Sequence, residues 1–434
     1  MRNLKRALSM ALAAIMVLGL MVVGASAAGY EDFTDKDEIK YTEAVSTMVS
    51  LGVISGKDNG SYDPNGSLTR AEACTLIARM LGGGKDPVLG SNIKSNFTDT
   101  KGHWAETYIA YCANLGIIVG VGDGSFNPDG TLTGTAAAKM VLCALGYKPE
   151  FEGIGGANWE LATNTLATKV KLYDGLDSLN PSETISRDDV AQLIYNGVQA
   201  QEVEYRNLQG DYQGTLYATE IGTMLANRFN VVKVEGVVVA NEIFGISECS
   251  ATPAGKTRFV DCNSYTVVQN GVSTTKYYDN VYPVSIPNEY VGQRVVIYVQ
   301  FKNALAPNAT DSVIIGEPIL SDKNTVATTG SKLGDTDKVK SFLRDNELSI
   351  GTEQLDNGNA NTNRGVLTVA NNVFSFTKGN VSLNDGINAR GTKITFIDNT
   401  GDGTVDYILK ETKHLAKITV YNKDKGELTL AGVG

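Results

Sequence analysis

The sequence predicts an α + β multidomain protein: an all-α helical bundle near the N-terminus, then a β-rich region of barrel-like or sandwich-like type. Two observations carry this. Residues 33–82 and 97–146 are one segment written twice, at a constant offset of 64 and without a gap. After about residue 205 the composition turns to runs of Val, Ile, Tyr and Thr separated by turn clusters. A repeat this long marks a duplicated structural unit, which sets the fold class before any local pattern does.

The repeat is read directly from the residues. Phe33-Thr34-Asp35 returns as Phe97-Thr98-Asp99, Leu51-Gly52 as Leu115-Gly116, and Gly60-Ser61 as Gly124-Ser125. Pro64 returns as Pro128 and Leu68-Thr69 as Leu132-Thr133. A third, more diverged copy follows: Trp159 stands where Trp104 stands, and Pro181 and Ile185-Ser186-Arg187 match Pro64 and Leu68-Thr69-Arg70. Behind each Ser/Thr the apolar residues fall at i, i+3, i+4, i+7 and i+8. They are Ala73, Leu76, Ile77, Met80 and Leu81; then Ala137, Met140, Val141, Ala144 and Leu145; then Val190, Leu193, Ile194, Gly197 and Val198. That spacing is one buried stripe on a helix. Ala105, Tyr108, Ile109, Cys112 and Leu115 form a similar stripe upstream in copy two. Each copy is expected to be helix, loop, helix. One such pair cannot bury its own stripe, so the three copies are expected to pack on each other.

The start of each second helix has a mechanism. Thr69-Arg70-Ala71-Glu72 reads as a capping box, with the Thr hydroxyl and the Glu carboxylate satisfying each other's backbone N–H. Ser186-Arg187-Asp188-Asp189 is a shorter-armed version. Thr133-Gly134-Thr135-Ala136 keeps the cap and loses both the Arg and the acid.

Phe97-Thr98-Asp99, His103-Trp104-Ala105, Leu115-Gly116, Gly-Asp-Gly-Ser-Phe-x-Pro and the Thr-Arg-Ala-Glu box, recurring in order, resemble the S-layer homology (SLH) family, usually found as three tandem copies. The likeness covers roughly residues 30–200. It implies a pseudo-threefold helical bundle with grooves between copies. It also implies non-covalent anchoring to a secondary cell-wall polysaccharide that carries anionic groups, often pyruvylated sugars. Self-assembly into a surface array is a further expectation.

The residues make physical sense of that implication. Arg70 and Arg187 lie in the first turn of a helix, where free N–H groups and the dipole favour an anion, and a guanidinium recognises a carboxylate in bidentate fashion. Trp104 and Trp159 can lay an indole face on a sugar ring. Asp35 and Asp99 can accept sugar hydroxyls or serve as helix caps. Copy one has Lys40 at the Trp position, and copy two has Gly134 at the Arg position, so the three grooves are not equally equipped.

Arg2, Lys5 and Arg6 precede an apolar run from Ala7 to Val23, and Ala25-Ser26-Ala27 follows as a small-residue cleavage site. Residues 1–27 therefore read as an export signal, with the three repeats over 28–92, 93–150 and 151–204. No later stretch approaches a membrane span, and no C-terminal sorting tail is read, so a cell-wall or cell-surface location would depend on the repeats. The formal net charge of −10 argues against nucleic acid and anionic membranes as partners. Of five cysteines, Cys74, Cys112 and Cys143 fall on helices as small apolar residues. Cys249 and Cys262 share one β-rich segment, and the sequence leaves open whether they bridge.

The β-rich part divides into 205–320 and 321–434, the latter a second module or a continuation. Expected elements include a short helix from Tyr217 to Phe229 and strands at Val231–Ala240, Arg294–Gln300, Ser312–Ile315 and Lys393–Asp398. A helix is expected at Asp335–Asp345 and a loop at Asn357–Arg364. From Asp398 to Asp406 the chain resembles an oxygen-rich Ca²⁺ loop, with Asp398, Asp402 and Asp406 at positions one, five and nine. Leu409 stands where a bidentate Glu is needed. The competing reading, favoured here, is a hairpin whose turn is set by Asp402-Gly403. No other cofactor is expected. Only His103 and His414 are present among histidines, and no nucleophile, P-loop, dinucleotide or zinc-protease motif appears. The reading is a wall-anchored surface protein and not an enzyme. The alternatives are a surface hydrolase or a glycan-binding adhesin with its activity in residues 205–434.

Overall fold

The computed structural model describes residues 30–434 apart from 90–93, 208–215, 247–248, 270–271, 305, 331–335, 351–354, 357–358, 371–372, 383–392, 413–415, 423–426 and 433–434. The export-signal reading of 1–27 and His414 fall outside the described residues. Two compact units divide after Phe229.

The first unit is helical. Copy one gives α1 (Thr42–Ser50) and α2 (Arg70–Leu81), copy two α3 (Glu106–Asn114) and α4 (Gly134–Ala144), and copy three α5 (Trp159–Lys169) and α6 (Arg187–Gln199). Each first helix is left through a backbone position of positive φ: Gly52 and Gly116 at 73°, and Lys171 at 63°. Glycine tolerates that conformation freely, while a lysine there is strained. Each second helix is capped as its sequence predicts. The Thr69 hydroxyl accepts from the Glu72 N–H at 3.2 Å and the Glu72 carboxylate accepts from the Thr69 N–H at 2.9 Å. Thr133 and Ser186 accept from the N–H of Ala136 and Asp189.

The copies interlock. The Leu68 N–H donates to the Ile185 carbonyl, Ile185 to Leu132 and Leu132 to Leu68, a closed ring of three bonds at 3.0–3.2 Å between buried residues. Around this ring α3 packs on α2, α5 on α4 and α1 on α6, and the predicted second-helix stripes lie in the interior apart from Leu76 and Leu81, which are half-buried. Leu115 departs from its expected place: it is about half exposed, because α3 ends at Asn114 and the chain turns away there.

The expected helix over 217–229 forms only in its second half. Leu216–Thr223 is a strand (β2) paired with β1 (Gln201–Asn207), and the helix α7 is confined to Met224–Phe229. The ribbon and α7 belong to the helical unit: the Val203 N–H donates to the Leu145 carbonyl at 2.8 Å and Met224 to Ala200 at 3.1 Å. Buried Glu202 accepts from Arg228 and Asn227, which satisfies a charge that burial would otherwise penalise.

The second unit is β-rich. Strands β3 (Val231–Ala240), β4 (Thr257–Val260), β7 (Asn280–Tyr282), β8 (Arg294–Gln300) and β9 (Val313–Leu320) form an open antiparallel sheet in the order β7-β4-β3-β8-β9, with ribbon β5–β6 (Ser264–Gln269, Val272–Tyr277) beside them in sequence. A second sheet orders β10 (Thr325–Thr329), β14 (Lys393–Asp398), β15 (Tyr407–Thr412), β12 (Asn359–Ala370) and β11 (Leu355–Asp356), with β13 (Val373–Ser382) on β12. Ribbon β16–β17 (Ala416–Asn422, Glu427–Gly432) ends the chain. No barrel closes among the described residues; both sheets are open. The loop expected at Asn357–Arg364 is instead largely strand, since β12 begins at Asn359 and pairs with β13. Its Gly/Asn composition hid a long hairpin. The helix α8 (Thr336–Arg344) sits where expected and buries Val339 and Leu343 against Phe396 and Ile408. Ile397 and Tyr407 pack into the other core, with Val295, Ile297 and Tyr282, so the later segment contributes to both cores. Cys249 and Cys262 are free thiols.

Candidate functional site

The structure places Arg70 of copy one and Arg187 of copy three in the same role. Each reaches from the start of a second helix into the loop of a neighbouring copy. Arg70 Nε donates to the Phe126 carbonyl at 2.9 Å and its Nη2 to Val119 at 3.1 Å. Arg187 Nε donates to the Tyr62 carbonyl at 2.9 Å and its Nη2 to Ser55 at 3.3 Å. Each guanidinium also stacks on an aromatic ring of that loop, Phe126 at 4.3 Å and Tyr62 at 5.2 Å. Planar guanidinium suits this combination of fork bonding and stacking.

The sequence expectation of free first-turn N–H groups does not hold. The first-turn N–H groups are not open to an anion. Those of Arg70 and Ala71 donate to Gly130 and Pro128, and those of Arg187 and Asp188 donate to Gly66 and Pro64. The third is held by the cap. Neighbouring loops therefore consume the helix ends, and only the arginine side chains remain to meet a ligand.

Arg187 faces a hollow of about 350 Å³ with Trp104 on another wall. Copy one supplies the loop Ile54–Lys57, Tyr62 and the side chains of Glu72 and Arg79; copy two supplies Trp104 and Tyr108. Trp104 is 61% exposed, with Tyr108 at 6.5 Å and His103 at 5.4 Å. His103 helps to hold it: its Nδ1 accepts the Ala105 N–H at 3.1 Å at the start of α3. A cavity with an exposed indole, a phenol and two guanidinium groups has the chemistry to take a hydroxylated, anionic ligand. A larger hollow of about 620 Å³ lies elsewhere in this unit, lined by Tyr147, Lys169, Lys171, Gln199 and Glu220 among others; it contains none of the predicted site residues.

Trp159 stands one repeat on from Trp104. It is half-buried, with Lys139 Nζ 5.0 Å from its ring centroid. Arg70 belongs to the corresponding groove through its bonds to the copy-two loop. The third groove differs. Gly134 occupies the arginine position, and a Cβ there would lie 3.0 Å from Pro181 Cα. Lys40, at the Trp position, donates to Tyr41 and Ser178. Asn196 donates to the Leu172 and Asp174 carbonyls.

Asp35 and Asp99 neither cap a helix nor stand free. Asp35 accepts from the Tyr62 and Asp63 N–H groups at 2.8 and 2.7 Å; Asp99 accepts from Phe126 and Asn127 at 2.8 and 2.7 Å. Desolvation pushes both carboxyls up, but these backbone bonds outweigh it and hold them below the usual carboxylate value. They shape the loop that the arginines grip.

In the second unit, Asp398 is buried and accepts from the N–H groups of Thr400, Gly401 and Gly403. Asp406 accepts from Asn399, and Asp402 from Thr404. The loop joins antiparallel β14 and β15, as the hairpin reading has it. The three carboxylates each bind backbone, and among the described residues no three acidic, His or Cys side chains converge to hold a metal.

Tyr62, Glu72, Arg79 and Tyr108 were not singled out by sequence. Tyr62 was accessible as the aromatic of the Gly-Ser-aromatic-x-Pro element. Glu72 was read only as a cap, yet its other oxygen pairs with Arg187 Nη1 at 3.1 Å.

The S-layer homology domain model matches residues 32–74 and 96–138. Two S-layer homology domains are present. A cell surface protein of Thermoanaerobacter kivui is 25% identical over 97% of this chain and 47% of its own length. An S-layer protein of Bacillus thuringiensis subsp. finitimus is 28% identical over 44% of this chain and 24% of its own. The surface-layer 125 kDa protein of Lysinibacillus sphaericus is 32% identical over 42% of this chain and 16% of its own. The chain spans less than half the length of these relatives. The S-layer homology domains and the surface-protein relatives put the chain at the cell surface and cell wall. Among the described residues, no helix is long and apolar enough to cross a membrane.

Proposed function

We propose that the protein is fixed non-covalently to an anionic secondary cell-wall polysaccharide, through grooves between three S-layer homology repeats set about a pseudo-threefold axis. The observation that carries this is the recurrence of an arginine bonded to two loop carbonyls and stacked on a loop aromatic, at Arg187, which shares a hollow with Trp104, and again at Arg70. The closed ring through Leu68, Ile185 and Leu132 supports a third copy beyond the two matched segments. Arg187 and Arg70 would meet the acidic groups, such as pyruvyl carboxylates, and Trp104 and Trp159 the sugar faces. Asp35 and Asp99 would act indirectly, by holding the loops.

In this reading the β-rich unit is structural or interactive, part of a self-assembling surface layer, and the chain is not an enzyme. The likeness to a cell surface protein over nearly the whole chain supports that role. The function needs no cofactor. Co-sedimentation with purified walls tests it. The full chain, and a fragment ending at Phe229 that keeps the β1–β2 ribbon, should sediment with intact walls and not with walls stripped of polysaccharide. Equal binding to stripped peptidoglycan would refute the polysaccharide as partner.

A further inference from the structure

Two residues of the Trp104 groove have no counterpart in the other grooves. Arg79 on α2 corresponds to Cys143 and Asn196, and Tyr108 on α3 to Ala44 and Thr163. A packing role common to the repeats therefore does not account for them. Both line the 350 Å³ hollow with Trp104 and Arg187. Arg79 is mostly covered, its Nη1 3.5 Å from the Ser55 hydroxyl and its guanidinium carbon 6.0 Å from the centroid of the Tyr108 ring.

Arg79 already has an anion. Its Nε donates to Asp86 at 2.7 Å, and the Tyr108 hydroxyl bonds the same carboxylate. Asp86 lies outside any helix or strand, in the link between copies one and two, and its side chain is 59% exposed. The Arg79 guanidinium holds its carboxyl below the usual value. The cation is thus fixed in the groove wall, while its carboxylate partner sits at the solvent edge on an irregular segment. A pair whose carboxylate end is open to solvent is weaker than a buried one and can exchange that carboxylate for another.

We propose that Arg79 is a second anion contact of the Trp104 groove, and that Asp86 occupies it as an internal stand-in for an acidic group of the wall polymer. The proposal rests on the anchoring function above and deepens it. With Arg187 paired to Glu72, Arg79 to Asp86 and Lys57 to Asp63, the groove is charge-balanced when empty. An acidic sugar enters by exchanging its carboxylate for that of Asp86. The partner selected is then a polymer bearing carboxylates, not merely one rich in hydroxyls.

The test is equilibrium binding of the full chain to purified wall polysaccharide, either with its carboxylates intact or with them amidated. Asp86→Asn should bind the intact polymer about threefold to fivefold more tightly than the wild type, the upper end of the range for an ion pair open to solvent on one side. It should show no gain on the amidated polymer. Arg79→Ala should weaken binding to the intact polymer, and adding Asp86→Asn to it should restore nothing, since the cation that Asp86 masks is gone. Binding by Asp86→Asn equal to or weaker than the wild type would make Asp86 a support for Arg79 and overturn the proposal alone. A wild type that binds neither polymer would overturn the anchoring function and this proposal with it.

Discussion

The Arg187 groove and the Arg70 groove share one scaffold and differ in charge. Both arginines make the same two backbone bonds and stack on the same loop position. Arg187 has a carboxylate partner in Glu72 at 3.1 Å. The counterpart of Glu72 in copy two is Ala136, and among the described residues no carboxylate lies within ion-pair distance of Arg70. Burial lowers the pKa of Arg70, as expected for a cation with little compensation, yet a guanidinium stays charged. A single sequence change, the loss of the acid at the third helical position, thus removes half of a capping box and also unmasks a cation. Helix capping and ligand charge are coupled through one residue.

The largest effect should come from removing the unmasked cation. Arg70→Ala should weaken binding to wall polysaccharide more than tenfold, because a charge-assisted hydrogen bond contributes about 1.5–3 kcal/mol. Arg187→Ala should lose less binding, since Glu72 already competes for that guanidinium. Equal losses in the two isotherms would erase the proposed difference between the grooves.

The third groove offers the converse experiment. Gly134→Arg installs the missing cation where a Cβ already crowds Pro181. It should destabilise the protein by about 1–3 kcal/mol, the usual range for overpacking, and should not strengthen wall binding. A gain in affinity at unchanged denaturation midpoint would show that the groove lacks only the charge.

Acid should act on the loops of copies one and two together. The folded-state pKa values of Asp35 and Asp99 lie below the ordinary 3.8. Their stabilisation is therefore present above that pH and lost as pH falls through the lower folded values. The Asp35→Asn/Asp99→Asn variant should have a lower melting temperature at neutral pH and a flatter decline below about pH 4. A decline as steep as that of the wild type would place the acid sensitivity elsewhere.

The smallest effect separates the tryptophans. Trp104→Ala should change stability by no more than about 0.5 kcal/mol, as an exposed side chain does, while wall binding falls. Trp159→Ala removes a half-buried ring beneath Lys139 and should cost stability as well as binding. Comparable melting temperatures for the two variants would contradict the difference in burial.

Local features of the fold were legible in the sequence. The repeat, the helix stripes and the caps at Thr69, Thr133 and Ser186 depend on spacing within one helix, and the structure has them. Relations between copies were not legible. The arginine-to-carbonyl bonds, the use of first-turn N–H groups by Gly130, Pro128, Gly66 and Pro64, and the Arg187–Glu72 pair all span long stretches of chain. No local pattern encodes which loop meets which helix. In the β-rich unit, β3 and β8 were clear because buried strands are nearly unbroken apolar runs. The Asn-rich start of β12 was not, because it lacks the apolar signal that marks a strand. The sequence around Asp398 reads two ways for a related reason: a loop that must satisfy several backbone N–H groups and a metal loop both call for carboxylates at short spacing.

Calorimetric titration of purified wall polysaccharide into the full chain and into the Arg70→Ala/Arg187→Ala variant tests the central claim most directly. The account predicts saturable binding by the wild type. It also predicts a loss of at least about a hundredfold in the variant, two charge-assisted contacts together, with the helical far-UV signal retained. Unchanged affinity in a folded double variant would assign both arginines to loop structure alone and contradict the grooves as the site of anchoring.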